Sequence, residues 1–289
     1  MKKKVLLAGE SWTSTSVHIK GWDQFATATH HRGADAFVSL LADKFDITYM
    51  LCNEAVEHFP DTAEGLDAYD CIILSDIGAN SLLLPPAVWV HSKRAPNRLN
   101  LLRDYVLRGG GLIMVGGYYS FQGINGGARY AGTAVEAVLP VSIHRFDDRL
   151  ELPQGICAQP SVGTAGHAVL QGVKGEYPYL LGINEVVAKP GATTLLALPA
   201  DEGSHPLLVV GEAGSGRSAA WTTDIGPHWL PNEFLQWDGF RTLWSNLIDW
   251  TCAGSGAAGG AATGAVGGAV GSSVGGAVGG AVGGAGTGR

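Results

Sequence analysis

Cysteine, basic side chains and long apolar runs are all in short supply in this chain. Its four cysteines, Cys52, Cys71, Cys157 and Cys252, form no CxxC pair and show no metal-ligand spacing. Their scatter argues against a disulfide framework or a thiolate metal site. It points to reduced, mostly buried thiols in a cytoplasmic protein. Lysine and arginine number 19 against 26 acidic residues, giving a net charge of −7. Basic residues gather only at Lys2, Lys3 and Lys4, so the chain lacks the clustered cations of a nucleic-acid partner. The apolar run after them, Val5 to Ala8, is too short for a signal peptide and reads as a first strand.

Chemical variety runs out altogether at the end. From Gly254 to Arg289 the chain uses only Gly, Ala, Val, Ser and Thr before the terminal Arg289. Val266, Val270, Val274, Val278 and Val282 recur at a spacing of four, which resembles the small-residue stripes of associating membrane helices. Glycine costs about 1 kcal/mol per residue in a helix relative to alanine, and the segment has no Leu, Ile or Phe. Residues 254–289 therefore read as a disordered low-complexity extension. Self-association is the second reading and membrane contact the weakest. The division expected is an α/β domain over residues 1–253, then the tail.

Within the domain, strand and helix patterns alternate. Val5 to Gly9, Asp46 to Leu51 and Cys71 to Leu74 read as strands. Helices are expected from about Ala34 to Lys44, in a short piece from Thr62 to Leu66, and from Arg98 to Arg108, closed by Gly109-Gly110-Gly111. The polar segment Thr13 to Arg32, with His18, His30 and His31, reads as irregular. From about Val138 the texture changes to short β-like pieces, with a hairpin pairing Leu207–Val210 and Ser218–Thr222. Gly239 to Thr251 closes the domain as an amphipathic helix. The βαβαβ order predicts a flavodoxin-like, doubly wound, mostly parallel sheet with extra β pieces in the C-terminal half.

The most informative stretch runs from Gly111 to Gln122. Leu112 to Val115 suits a strand covered on both faces, and Gly116-Gly117 allows a sharp reversal after it. Such an elbow normally presents Ser or Cys at its tip; here Tyr118 and Tyr119 stand there.

Val115-Gly116-Gly117-Tyr118-Tyr119-Ser120-Phe121-Gln122 resembles the elbow of class I glutamine amidotransferases, with Tyr118 on the Cys position and Gln122 on the Gln. Four wider motifs resemble the GATase1-like cytoplasmic proteins: Ala8 to Trp12, Leu74 to Asn80, Pro96 to Leu99, and Thr223 to Trp229. The ending Gly216-Arg217, Asp224, Gly226, His228 also resembles the related ThuA-like branch. The resemblance covers about residues 3 to 252 and implies the fold, but no settled reaction. In a true glutamine amidotransferase a thiolate attacks the amide. A phenol with an ordinary pKa of about 10 is a poor substitute, so standard glutamine hydrolysis is not expected.

In an open parallel sheet, ligands bind beyond the carboxyl ends of the strands. The loops expected there carry Glu10, Ser11 and Trp12; Asp76 and Asn80; Tyr118, Tyr119 and Gln122; and Asp224, His228 and Trp229. Acid/base chemistry without a thiol would use His228, oriented by Asp224 or Glu10. The remaining residues, Ser11, Trp12, Asp76, Asn80, Tyr118, Tyr119, Gln122 and Trp229, would contact a small polar ligand, with carbohydrate-derived metabolites as one candidate class. Asp76 and Asp224 fit turn formation equally well, His228 fits a packed loop histidine, and Ser120 is a weak replacement nucleophile. No cofactor and no resident metal are expected; a cation held by Glu10, Asp76, Asp224 and His228 is a remote reading. The rival to an enzyme is a non-catalytic sensor or self-assembling subunit on the same fold, and homo-oligomer formation is compatible with either.

Overall fold

The computed structural model describes residues 1–254; the low-complexity tail expected over 254–289 lies, past Gly254, outside the described residues. Eight strands form one sheet, beginning with Phe45–Met50 at one edge, then Lys3–Gly9, Cys71–Ser75, Gly111–Val115 and Gly216–Trp221. These five run parallel. Pro206–Ala213, Thr193–Ala197 and Gln159–Pro160 complete the other side antiparallel. The sheet is thus the mostly parallel, doubly wound kind, with separate two-stranded ribbons added.

Its strands are apolar without alternation because both faces are covered. Val5 and Leu7 point into a core shared with Phe37, Phe240 and Trp244, from the helices Asp35–Leu41 and Asp238–Cys252. Leu6 and Ala8 point into the opposite core, with Leu99, Leu102 and Val106 from the helix Arg98–Leu107. Every second residue of one strand thus serves each layer, which is why a helix-like run of four apolar residues folds here as strand.

The first strand lies between the second and the third in sheet order, so the chain leaves it in one direction and later returns on its other side. Ligand crevices of this topology open at such a switch point, outside the carboxyl ends of the two strands. Glu10 and Asp76 are the residues immediately past those ends, and both adopt a left-handed backbone at φ 44°. Non-glycine residues held there store local strain, and such strain gathers at functional sites.

Two expectations need correction. Residues 13–32 are not irregular: Ser11–Lys20 and Asp23–Arg32 form a regular antiparallel ribbon. Its alternation was hidden because both faces are exposed, so no apolar period marks it. The cysteines are also not mostly buried. Cys71 is, but Cys157 is exposed at the solvent-facing end of the strand Arg149–Cys157, and Cys52 and Cys252 are half-buried. Among the described residues, no helix is long and apolar enough to cross a membrane.

Candidate active site

The loop after Gly111–Val115 is anchored before it does anything else. Gly117 N–H donates to Asn184 Oδ1 (3.0 Å), and Asn184 Nδ2 donates to Asp148 Oδ1 (2.9 Å). Asp148, fully buried, also accepts from Gln122 N–H and Gly123 N–H, both at 2.8 Å. The loop from 117 to 123 thus hangs on two side chains from the C-terminal half of the chain. Gln122 belongs to this scaffold: its amide group bonds Gly126 O (3.3 Å) and Ala131 N–H (3.3 Å), folding back on its own loop rather than towards a ligand.

Gly117 is required on two counts. Its φ of +138° is a conformation L side chains rarely adopt, and a Cβ there would stand 2.8 Å from Asp76 Oδ1 and 3.0 Å from Asp224 Oδ1. Two carboxylates from different loops therefore close over one bare backbone position. Asp76 Oδ1 accepts from Tyr119 N–H (2.6 Å), and Ser120 Oγ accepts from Asp76 N–H (3.0 Å). Ser120 is buried and committed to that bond. Asp224 Oδ2 accepts from Trp229 N–H (3.0 Å) and lies 3.2 Å from His228 Nδ1. Glu10, buried beneath, has Oε2 2.5 Å from the donating Ser75 Oγ.

The electrostatics follow from crowding acids in a dry place. Burial pushes the Glu10 carboxyl well above the usual carboxylate range, and the nearby Asp224 and Asp76 charges add to it. Burial likewise raises Asp76, to about 6, against the bond from Tyr119 N–H. Asp224 is also pushed up by burial, while its bonds to His228 and Trp229 N–H oppose the shift. The Asp224 bond raises His228 in turn, with Glu151 and Asp76 adding to it. Near neutral pH this set holds more protons than its side-chain types would in water.

Aromatic groups wall the imidazole. The Tyr118 ring meets His228 edge-on at 4.3 Å, and the Arg149 guanidinium lies 4.8 Å from the Tyr118 ring centre. Asp147 grips Arg149 through both its carboxylate oxygens (2.9 Å each), and Glu151 accepts from Trp229 Nε1 (2.9 Å). Trp229 is itself buried, so it is wall rather than contact surface. His228 keeps 43% of its side-chain surface exposed, and among the described residues its Nε2 has no hydrogen-bond partner.

Of the residues expected at the site, Glu10, Asp76, Asp224, His228 and Tyr118 come together, with Tyr119 joining through its backbone. Ser11 is tied to Cys52 N–H through Oγ (2.7 Å), and Trp12 stacks on His31 (4.8 Å). Those two line a neighbouring cavity of about 330 Å³ with His30, Arg32 and Cys52. Asn80 is exposed on the short helix Ala79–Leu83, and its side chain bonds none of the cluster. A larger cavity, about 460 Å³, lies at the opposite end of the sheet by His167 and Lys189, away from the acid cluster. Asp148, Asn184, Arg149 and Glu151 were missed, because nothing in their local sequence marks them and only the fold delivers them here; Ser75 lay inside the Leu74 to Asn80 motif without a role of its own.

Cys52, remote from the elbow in sequence, is adjacent in space: its Sγ is 3.7 Å from Asp76 O. Burial raises the thiol above its ordinary range, with the Asp76 and Glu10 charges adding to it, so it is not an activated nucleophile. Among the described residues, no group of three or more His, Cys, Asp or Glu is arranged to hold a metal ion.

Residues 4–253 match the family described as "Putative glutamine amidotransferase", GATase1_like. The cytoplasmic proteins STM3548 and STM1381 of Salmonella typhimurium are 38% and 39% identical to the chain. Each covers 86% of it at a TM-score of 0.80, over 98% and 99% of their own lengths. A ThuA-like protein from Bacteroides uniformis shares the fold at 12% identity and a TM-score of 0.54, covering 86% of this chain and 91% of its own. No curated protein matches.

Proposed function

The chain belongs to the GATase1-like family, and from that premise we propose that it binds and hydrolyses a small, uncharged polar metabolite by acid/base chemistry without a thiol. One observation carries the reading: Asp224, His228 and Asp76 converge over Gly117 at the switch point of the sheet. In this role the Asp224 carboxylate accepts from His228 Nδ1–H, which fixes the tautomer and leaves Nε2 to take a proton from water. The water oxygen bonds to the substrate carbon, the bond to the leaving group breaks, and Asp76 in its protonated form supplies the leaving group's proton. The proton on His228 then returns to Asp76 through solvent.

Charge selects the substrate class. Asp224, Glu151 and Asp76 act on the imidazole, and those of them that are ionised repel an anion brought among them. Hydroxyl and amide groups meet acceptors instead, and the Tyr118 face offers an apolar wall, which supports sugars and their amides as the first probes. A cytoplasmic location is part of the proposal, in line with the two Salmonella relatives.

A second reading draws on Tyr119. In nucleophile elbows the N–H after the tip helps bind the oxyanion, and here that N–H is occupied by the Asp76 carboxylate. That occupancy supports a sensor that binds a ligand and turns nothing over.

The deciding experiment measures thermal stability of the whole chain against neutral sugars, sugar amides and sugar acids, followed by product analysis for any ligand found. A neutral ligand at a hundred times its dissociation constant adds about 2.7 kcal/mol. Binding and turnover that both need His228 support the hydrolase. Binding without product supports the sensor, and stabilisation by the acids alone overturns the charge argument.

A further inference from the structure

The ribbon of residues 11–32 rises from the rim of the acid cluster, since its first strand begins directly after Glu10. At its root it is tied down: Ser11 holds Cys52 N–H, and the Arg32 guanidinium lies 4.8 Å from the Tyr49 ring centre. Beyond the root the situation changes. Residues 12–30 are all exposed, and every hydrogen bond, ring and cation contact of residues 13–30 is made within the ribbon. Gly21 opens its two-residue turn at φ +63°, a geometry that keeps the strands in register and pushes Trp22 wholly into solvent.

A two-stranded ribbon alone in water is marginal at best, yet this one presents Val17 (62% exposed), Ile19 (73%), Trp22 (104%) and Phe25 to solvent. Its edges are also unguarded. From Ser11 to Ile19 there is no Lys, Arg, Asp, Glu or Pro, the residues with which exposed edges are normally protected.

We propose that this ribbon is a clasp for a second copy of the chain, two such arms being exchanged about a two-fold axis. Size and charge favour that occupant. A standard interface uses about 20–30 residues a side, and residues 11–32 supply that number on one continuous element. Arg32 is paired with Asp35 of its own protomer, so beyond the root the arm carries one cation, Lys20, and one anion, Asp23, whereas the whole chain stands at −7. A neutral arm with a single acid docks on an identical acidic body without the repulsion that two such bodies would otherwise bring to the contact. Exchange of an identical element between protomers satisfies the requirement that a two-fold interface be its own complement. Trp22 at the tip, with Val17 and Ile19 along one face of the ribbon, is the anchor that such an interface needs.

The test is the mass of the full chain in solution by light scattering and sedimentation, in wild type and in two variants altered only at exposed arm positions, Ile19→Lys with Trp22→Ser, and Val17→Lys with Phe25→Ser. Wild type is expected to be a dimer at micromolar concentration. Each variant should raise the dimer dissociation constant by at least about 30-fold, a typical anchor loss. Circular dichroism shows whether the body of each variant is folded. Amide exchange of wild-type residues 13–30 should slow as protein concentration rises. A wild-type monomer overturns the proposal, as does a dimer that both folded variants leave unchanged or an arm whose exchange ignores concentration.

Discussion

Asp76 and Asp224 face each other across Gly117, each with an Oδ1 within 3.0 Å of the point where a Cβ would be. They come from loops after two different strands, so the glycine sets how closely the two loops approach. Replacing Gly117 with Ala forces a left-handed alanine between two acids. We expect a loss of roughly 2–5 kcal/mol in urea unfolding, from backbone strain plus overpacking.

Asp76→Asn separates charge from shape, because the amide oxygen can still accept from Tyr119 N–H. A carboxyl raised to about 6 in the fold contributes stability that is complete below its unfolded value and lost as pH rises through 6. The variant should therefore match wild type near pH 4 and exceed it at pH 8 by about 3 kcal/mol. Unfolding curves at a series of pH values check both ends.

His228 titrates above its ordinary value because Asp224 bonds to it, so Asp224→Asn should lower the imidazole pKa towards the value of a free side chain. Proton–carbon NMR of the labelled ring reads this directly. The matching stability, present below about pH 6.5 and lost as pH climbs through the raised value, should stay under about 1 kcal/mol, since water screens a ring that is 43% exposed.

Asp148→Ala should cost about 3 kcal/mol, because it strands Gln122 N–H, Gly123 N–H and the Asn184 amide in a fully buried spot. Asp148→Asn should cost less, since one amide oxygen still accepts. Both should also weaken whatever binds over Gly117, measured by calorimetry with the neutral sugar probes.

The sheet and its main helices were legible because unbroken apolar runs such as Cys71–Leu74 and Leu112–Val115 admit few other folds in a chain of this pattern. The loops that carry Glu10, Asp76, Tyr118 and His228 were legible for the same reason, being fixed by where strands end. The rest lay in orientation. Sequence places Gln122 and Asn80 at the right loops, yet one folds back on its own turn and the other faces solvent. Asn184 and Asp148, which hold the elbow, come from segments whose texture is merely β-like, and the ribbon of residues 11–32 lacks any apolar period to declare it.

The Gly117–Asn184 bond has a temporal side. On a ribosome the elbow emerges well before its two anchors, Asp148 and Asn184, and earlier still than the strand Gly216–Trp221, which pairs in parallel with Gly111–Val115. An N-terminal fragment ending near residue 140 would own Glu10, Asp76 and Tyr118 without a means of fixing them. Assembly of the cluster must wait for distant partners, which makes it a late event and exposes the nascent parallel sheet in the interval. Truncations or stalls in the C-terminal half should thus yield aggregation rather than a weakened protein.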